Sequence, residues 1–79
     1  MTITIKYFGM LCEITNKTTE NLKVPENCNI GELNYLLSSA YPGFDKVYYS
    51  FAVNQKFTQT DYNLSPNDEV ALLPAFAGG

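Results

Sequence analysis

Residues 29–41 read NIGELNYLLSSAY, and they hold the one convincing helical pattern in the chain. Ile30, Leu33, Leu36, Leu37, Ala40 and Tyr41 follow the i, i+3, i+4, i+7 spacing that gathers apolar side chains on one face of a helix. Asn29 can cap the start by accepting a hydrogen bond from a first-turn N–H. Glu32 can return a bond to the Asn29 N–H, closing a variant of the capping box. Pro42-Gly43 stops the helix, because Pro offers no N–H and disfavours helical backbone in the residue before it. Cys28, one residue before the cap, reads as a small apolar group packing beside the helix start.

Strand patterns lie on both sides of this helix. Residues 2–8, TITIKYF, alternate with Ile3, Ile5 and Tyr7 on one face and Thr2, Thr4, Lys6 and Phe8 on the other, the period of a half-buried strand. Residues 9–19 turn the chain, with Asn16 and Lys17 at the tip. A second strand runs over 19–24, with Leu22 and Val24 inward, and Pro25 closes it. Beyond the helix, residues 46–53 are strand-like with Val47, Tyr49, Phe51 and Val53 on one face, and Asn54-Gln55-Lys56 makes a turn. Residues 57–68 read as irregular, ending in the turn signal Ser65-Pro66-Asn67-Asp68. Residues 69–73 form the last strand, Val70 and Leu72 inward and Ala71 and Leu73 outward, ended by Pro74. The order β-β-α-β-β predicts an α+β domain of the β-grasp type familiar from ubiquitin: a mixed sheet of four to five strands with one main helix packed on one face. Residues 1–74 would be the domain and residues 75–79 a flexible C-terminal arm.

Composition narrows the function. Five lysines and no arginine face eight acidic residues in a chain of 79 with net charge −3, and the lysines are scattered, so a phosphate backbone is a poor partner. No apolar run approaches the roughly 18–20 residues of a membrane span, and no charged segment leads into a signal-type apolar stretch. The expectation is a cytoplasmic protein with neither nucleic acid nor membrane as partner. Cys12 and Cys28 are in no metal or redox spacing and read as free thiols. The absence of His removes the usual general base, and two cysteines fall short of the about four ligands of a structural zinc site. The chain should bind no metal or cofactor and should enter chemistry as a substrate rather than as a catalyst.

The chain ends LLPAFAGG, and that end supplies the chemistry. In a β-grasp sheet the last strand lies inside, so the residues after it leave from a fixed point as an arm. Pro74 stiffens its root, Phe76 is its one bulky anchor, and Ala75, Ala77, Gly78 and Gly79 keep it slim. The group presented is the α-carboxylate of Gly79. A carboxylate becomes an acyl donor once adenylation with ATP converts it into a mixed anhydride. Attack by sulfur leads to a thiocarboxylate, and attack by an amine gives an amide with a target lysine. Alternation also places Phe8, Ala52 and Leu73 on the sheet face away from the helix, with Phe57 just beyond the third strand. Together they would form an apolar patch for a partner.

YFGMLCEITN at 7–16, FAVNQ at 51–55 and SPNDEVALLPAFAGG at 65–79 resemble the small, sulfur-carrying subunits of molybdopterin synthase, a ubiquitin-like family, along the whole chain. The resemblance implies that Gly79 is adenylated by an activating enzyme related to ubiquitin-activating enzymes, with ATP as cosubstrate. A sulfur donor protein then supplies the sulfur of a thiocarboxylate, and the arm enters the large subunit of the synthase to build the dithiolene of molybdopterin. It also implies that Phe8, Phe57 and Leu73 pack on that partner. Two positions depart from the family pattern: Cys12 stands where an Arg often precedes the Glu, and Pro74-Ala75 replaces a Pro-Pro pair. Three other readings share these features: a thiazole-synthesis sulfur carrier, a ubiquitin-like modifier joined to lysines, and a β-grasp interaction module in which the glycine pair has no role.

Overall fold

The computed structural model describes residues 1–75, so the tail positions Phe76, Ala77, Gly78 and Gly79 lie outside the described residues. Five strands form one sheet: β1 (Thr2–Tyr7), β2 (Thr19–Lys23), β3 (Tyr49–Val53), β4 (Lys56–Thr58) and β5 (Glu69–Pro74), in the order β2-β1-β5-β3-β4. β5 runs parallel to β1 and antiparallel to β3, with Tyr7 and Phe51 flanking Leu72. The last strand is therefore central, as a β-grasp sheet requires. Its inward side chains Val70 and Leu72 are fully buried with Ile3, Ile5 and Tyr7 of β1.

The principal helix spans Ile30–Ala40 and is called α2, because a shorter helix precedes it. Its capping box is complete: Asn29 Oδ1 accepts from the Glu32 N–H at 2.8 Å, and Glu32 Oε1 accepts from the Asn29 N–H at 3.0 Å. Ile30, Leu33 and Leu37 carry the packing against the sheet. Leu36 and Ala40, expected in the buried stripe, are instead exposed, Leu36 by 41%. They lie at the edge of the stripe and line a shallow groove shared with Leu22 on the edge strand β2, where no further strand covers them.

Three elements differ from the sequence reading. The connection after β1 contains a helix, α1 (Met10–Thr15), whose Leu11 and Thr15 are buried one turn apart. It has no side-chain N-cap and begins at Gly9 with φ 58° and ψ −132°, a conformation that suits glycine. The strand expected over 46–53 starts only at Tyr49, because Phe44–Lys46 form a 3-10 turn that sends the Phe44 ring into the core. Phe44 stacks on Tyr41 at 5.6 Å and meets Tyr49 edge-on at 5.7 Å, so aromatic contact fixes the chain where a longer strand was expected. Finally, the segment read as irregular opens with β4. Asn54 and Gln55 take the left-handed φ values 50° and 72°, a two-residue turn that sets Lys56 against Val53 and Phe57 against Ala52.

Candidate functional site

The face of the sheet turned away from α2 follows from strand register. Lys6 pairs with Ala71, Ala71 with Ala52, and Ala52 with Phe57, so a row of outward side chains crosses β1, β5, β3 and β4. In the next row Ser50 pairs with Leu73, and Phe8 comes after the end of β1 on the same side by alternation. The expected residues Phe8, Leu73, Ala52 and Phe57 thus share this face. Phe57 is 74% exposed and Phe8 44%, while Leu73 and Ala71 are half-buried. Ala52 is only 5% exposed although it faces outward and stays outside the core cluster. A methyl group between Ala71 and the Phe57 ring is shielded by its neighbours, so it contributes a flat floor rather than a knob.

One ion pair borders the apolar ground. Lys6 Nζ lies 3.3 Å from Glu69 Oε2 with both side chains well exposed, a geometry worth little to stability. It closes the face at the end remote from Pro74. At the other end the chain emerges. The ladder continues past β5 through the Ala75 N–H, which donates to the Tyr48 carbonyl at 2.8 Å. On the opposite side Gly9 lies so near that a Cβ there would come within 3.2 Å of Pro74 Cγ. The root of the arm is therefore clamped between β3 and the start of α1. Sequence reading missed Tyr48 and Met10, two large exposed side chains at this root: the Tyr48 carbonyl accepts from Ala75, and Met10 follows Gly9. Alternation puts Tyr48 opposite the inward Tyr49 and Met10 fits no periodic pattern; the pairing of Ala75 with Tyr48 and the approach of Gly9 to Pro74 are what draw attention to them.

The cysteines stand apart from this face in chemistry. Cys28 is buried, and burial together with the nearby Glu32 carboxylate pushes its thiol pKa up, opposite to what a nucleophile needs. Cys12 is half-buried and its thiol donates to the Tyr7 carbonyl at 3.0 Å. The densest polar cluster lies instead beside β2. Glu20 Oε1 accepts from the Tyr7 and Tyr41 hydroxyls, each at 2.7 Å, and Glu20 Oε2 accepts from Lys17 Nζ at 3.1 Å. Burial raises the Glu20 pKa, but these three donors outweigh it and hold the carboxyl below its usual range. Burial and the Glu20 charge push the Tyr7 hydroxyl far above its usual value, so it stays a donor. This cluster ties β1, β2 and the end of α2 together and offers no open position for a reacting group. Among the described residues no group of three metal-ligating side chains assembles, and no helix is long and apolar enough to cross a membrane.

The model of the ThiS family matches residues 5–79. The chain belongs to that family. A human protein named molybdopterin synthase sulfur carrier subunit is 29% identical over 82 residues, covering 98% of this chain and 93% of its own length. Two solved structures share the fold. The small archaeal modifier protein 1 of Haloferax volcanii superposes with a TM-score of 0.84 at 20% identity, over 95% of this chain and 98% of that one. A chain from the complex of subunits 1 and 2 of the molybdopterin-converting factor of Helicobacter pylori gives a TM-score of 0.72 at 22% identity, over 100% of both chains. The resemblance to sulfur carrier subunits and the β-grasp fold read from the sequence are both borne out.

Proposed function

We propose that this chain is a sulfur carrier: its C-terminal glycine, Gly79, is adenylated with ATP by an activating enzyme, converted to a thiocarboxylate, and delivered to a pterin precursor as the small subunit of molybdopterin synthase. The observation that carries this reading is the central β5, which ends at Pro74 beside an apolar sheet face, in a ThiS-family chain whose sequence finishes in two glycines. The human relative's name and the two-subunit Helicobacter assembly support the choice of a synthase large subunit as partner. In this reading the protein supplies a reacting group and a docking face, and the activating enzyme and the large subunit supply the catalysis. Gly78 and Ala77 keep the arm slim enough to enter a narrow channel, and Phe76 is its one bulky anchor.

Intact-mass spectrometry of the protein purified from its native cells tests the reading. A fraction of molecules should carry the mass gain of one sulfur replacing one oxygen. Recovery of the protein in isopeptide linkage to lysines, without any thiocarboxylate form, would establish the modifier reading that the archaeal neighbour's name suggests. Removal of Gly79 should abolish sulfur transfer and leave the circular dichroism spectrum unchanged, since the described core ends before it.

A further inference from the structure

The exposed side chains around the root of the arm carry a further inference, which rests on the docking of the outward face to the large subunit. Tyr49 turns inward, its hydroxyl donating to Asn34 Oδ1 on α2 and its ring packed on Phe44. Alternation then sends Tyr48 to the outward face, beside Ala75, whose N–H its carbonyl accepts. The Tyr48 side chain stands in solvent at 87% exposure. Across the root, Gly9 abuts Pro74, and the next residue, Met10, opens α1 with 59% exposure. In sheet order Phe8 follows β1 and Leu73 sits on the adjacent β5, next to β3 and the Tyr48 that precedes it. The arm thus leaves through a collar of Met10, Phe8, Leu73 and Tyr48, none of which carries a charge.

An exposed aromatic ring and an exposed thioether that extend an apolar patch gain by being covered when a partner binds, and both are adaptable contact groups. We propose that Tyr48 and Met10 are specificity-determining contacts that seat the collar on the rim of the partner's arm-receiving channel, with a rim that is apolar and uncharged. Continuity supports this occupant. The two side chains extend the Phe8 and Leu73 patch to both flanks of the arm, so a partner that encloses the arm must pass over them. The contacts would align the arm before its end reaches the reacting centre, which makes them positioning residues rather than catalytic ones.

The test is calorimetric titration of the intact chain with the synthase large subunit of the same organism. Tyr48→Ser and Met10→Ser should each weaken the complex by about tenfold with unchanged circular dichroism, the scale of a central interface contact. Tyr48→Phe should restore the affinity, because the ring makes the contact. Tyr35→Ser on the helical side should bind like the wild type. If Tyr48→Ser and Met10→Ser both bind like the wild type while Leu73→Asp is weakened, the collar inference fails and the docking face stands. If Leu73→Asp also binds like the wild type, or the wild-type chain does not bind, the docking reading fails and the collar goes with it.

Discussion

At the scale of single residues, neighbours in sequence have opposite roles. Leu72 is fully buried between Tyr7 and Phe51, whereas Leu73 pairs with Ser50 and looks outward. Leu72→Asp places a charge in the core at a cost of several kcal/mol, comparable to the whole stability of so small a domain, and circular dichroism should show it unfolded. Leu73→Asp should keep the fold and lose about 2 kcal/mol of affinity for the large subunit, roughly 30-fold in the titration. Glu20 gives a second residue-scale prediction. Its carboxyl is held below the usual 4.5 by the Tyr7, Tyr41 and Lys17 donors, so the folded state binds its proton less readily than the unfolded chain. The stabilisation is therefore complete above that usual value and is lost as pH falls through the lower, folded pKa. Denaturant midpoints measured downward from pH 6 should fall in the wild type, and the fall should be shallower in Glu20→Gln. Period-two alternation sufficed to assign Leu72 and Leu73 to their faces. The Glu20 cluster was not legible, because its members come from β1, β2, the α1 to β2 connection and the end of α2, and only the fold brings them together.

At the scale of elements, legibility tracked length and end signals. α2 was readable because it has both a full apolar stripe and reciprocal caps. Asn29→Ala removes the acceptor for the Glu32 N–H and should destabilise the domain by about 1 kcal/mol, seen as a lower denaturant midpoint with an unchanged slope. α1 has six residues and no side-chain cap, so its isolated sequence carries almost no helical preference. Burial of Leu11 and the Thr15 hydroxyl bond to the Leu11 carbonyl at 2.8 Å hold it in place instead. β4 has three residues and depends on a turn whose second left-handed position is Gln55, not the glycine that would have announced a hairpin. Asn54 is better suited, and its side chain also bonds Asp68 at 3.0 Å and the Glu69 N–H at 3.0 Å, tying that hairpin to the start of β5. Long-range contacts therefore decided the short elements, while local pattern decided the long ones.

For the whole molecule, the sheet divides the surface into a helical side that builds the core and an outward side that ends at the arm. The outward face spans four strands, from Phe8 after β1 to Phe57 on β4, and three strand spacings set those two strands about 14 Å apart. Pairing Phe57 with Ala52, and Ala52 with Ala71, makes the ground between them low and apolar, so a partner can lie flat across it. A partner that grips only the arm would sense Phe8 and ignore Phe57. One that covers the sheet would sense both, and two contacts this far apart with no shared neighbour should contribute independently. Phe8→Ser and Phe57→Ser should each weaken the large-subunit complex by about 1–2 kcal/mol, and the double variant should lose the sum within about 0.5 kcal/mol. Calorimetric titration of the four proteins in that cycle measures it. An unaltered affinity for Phe57→Ser would confine the interface to the arm's end of the sheet, and a strongly non-additive double variant would mean that the two rings meet one mobile element of the partner rather than a flat surface.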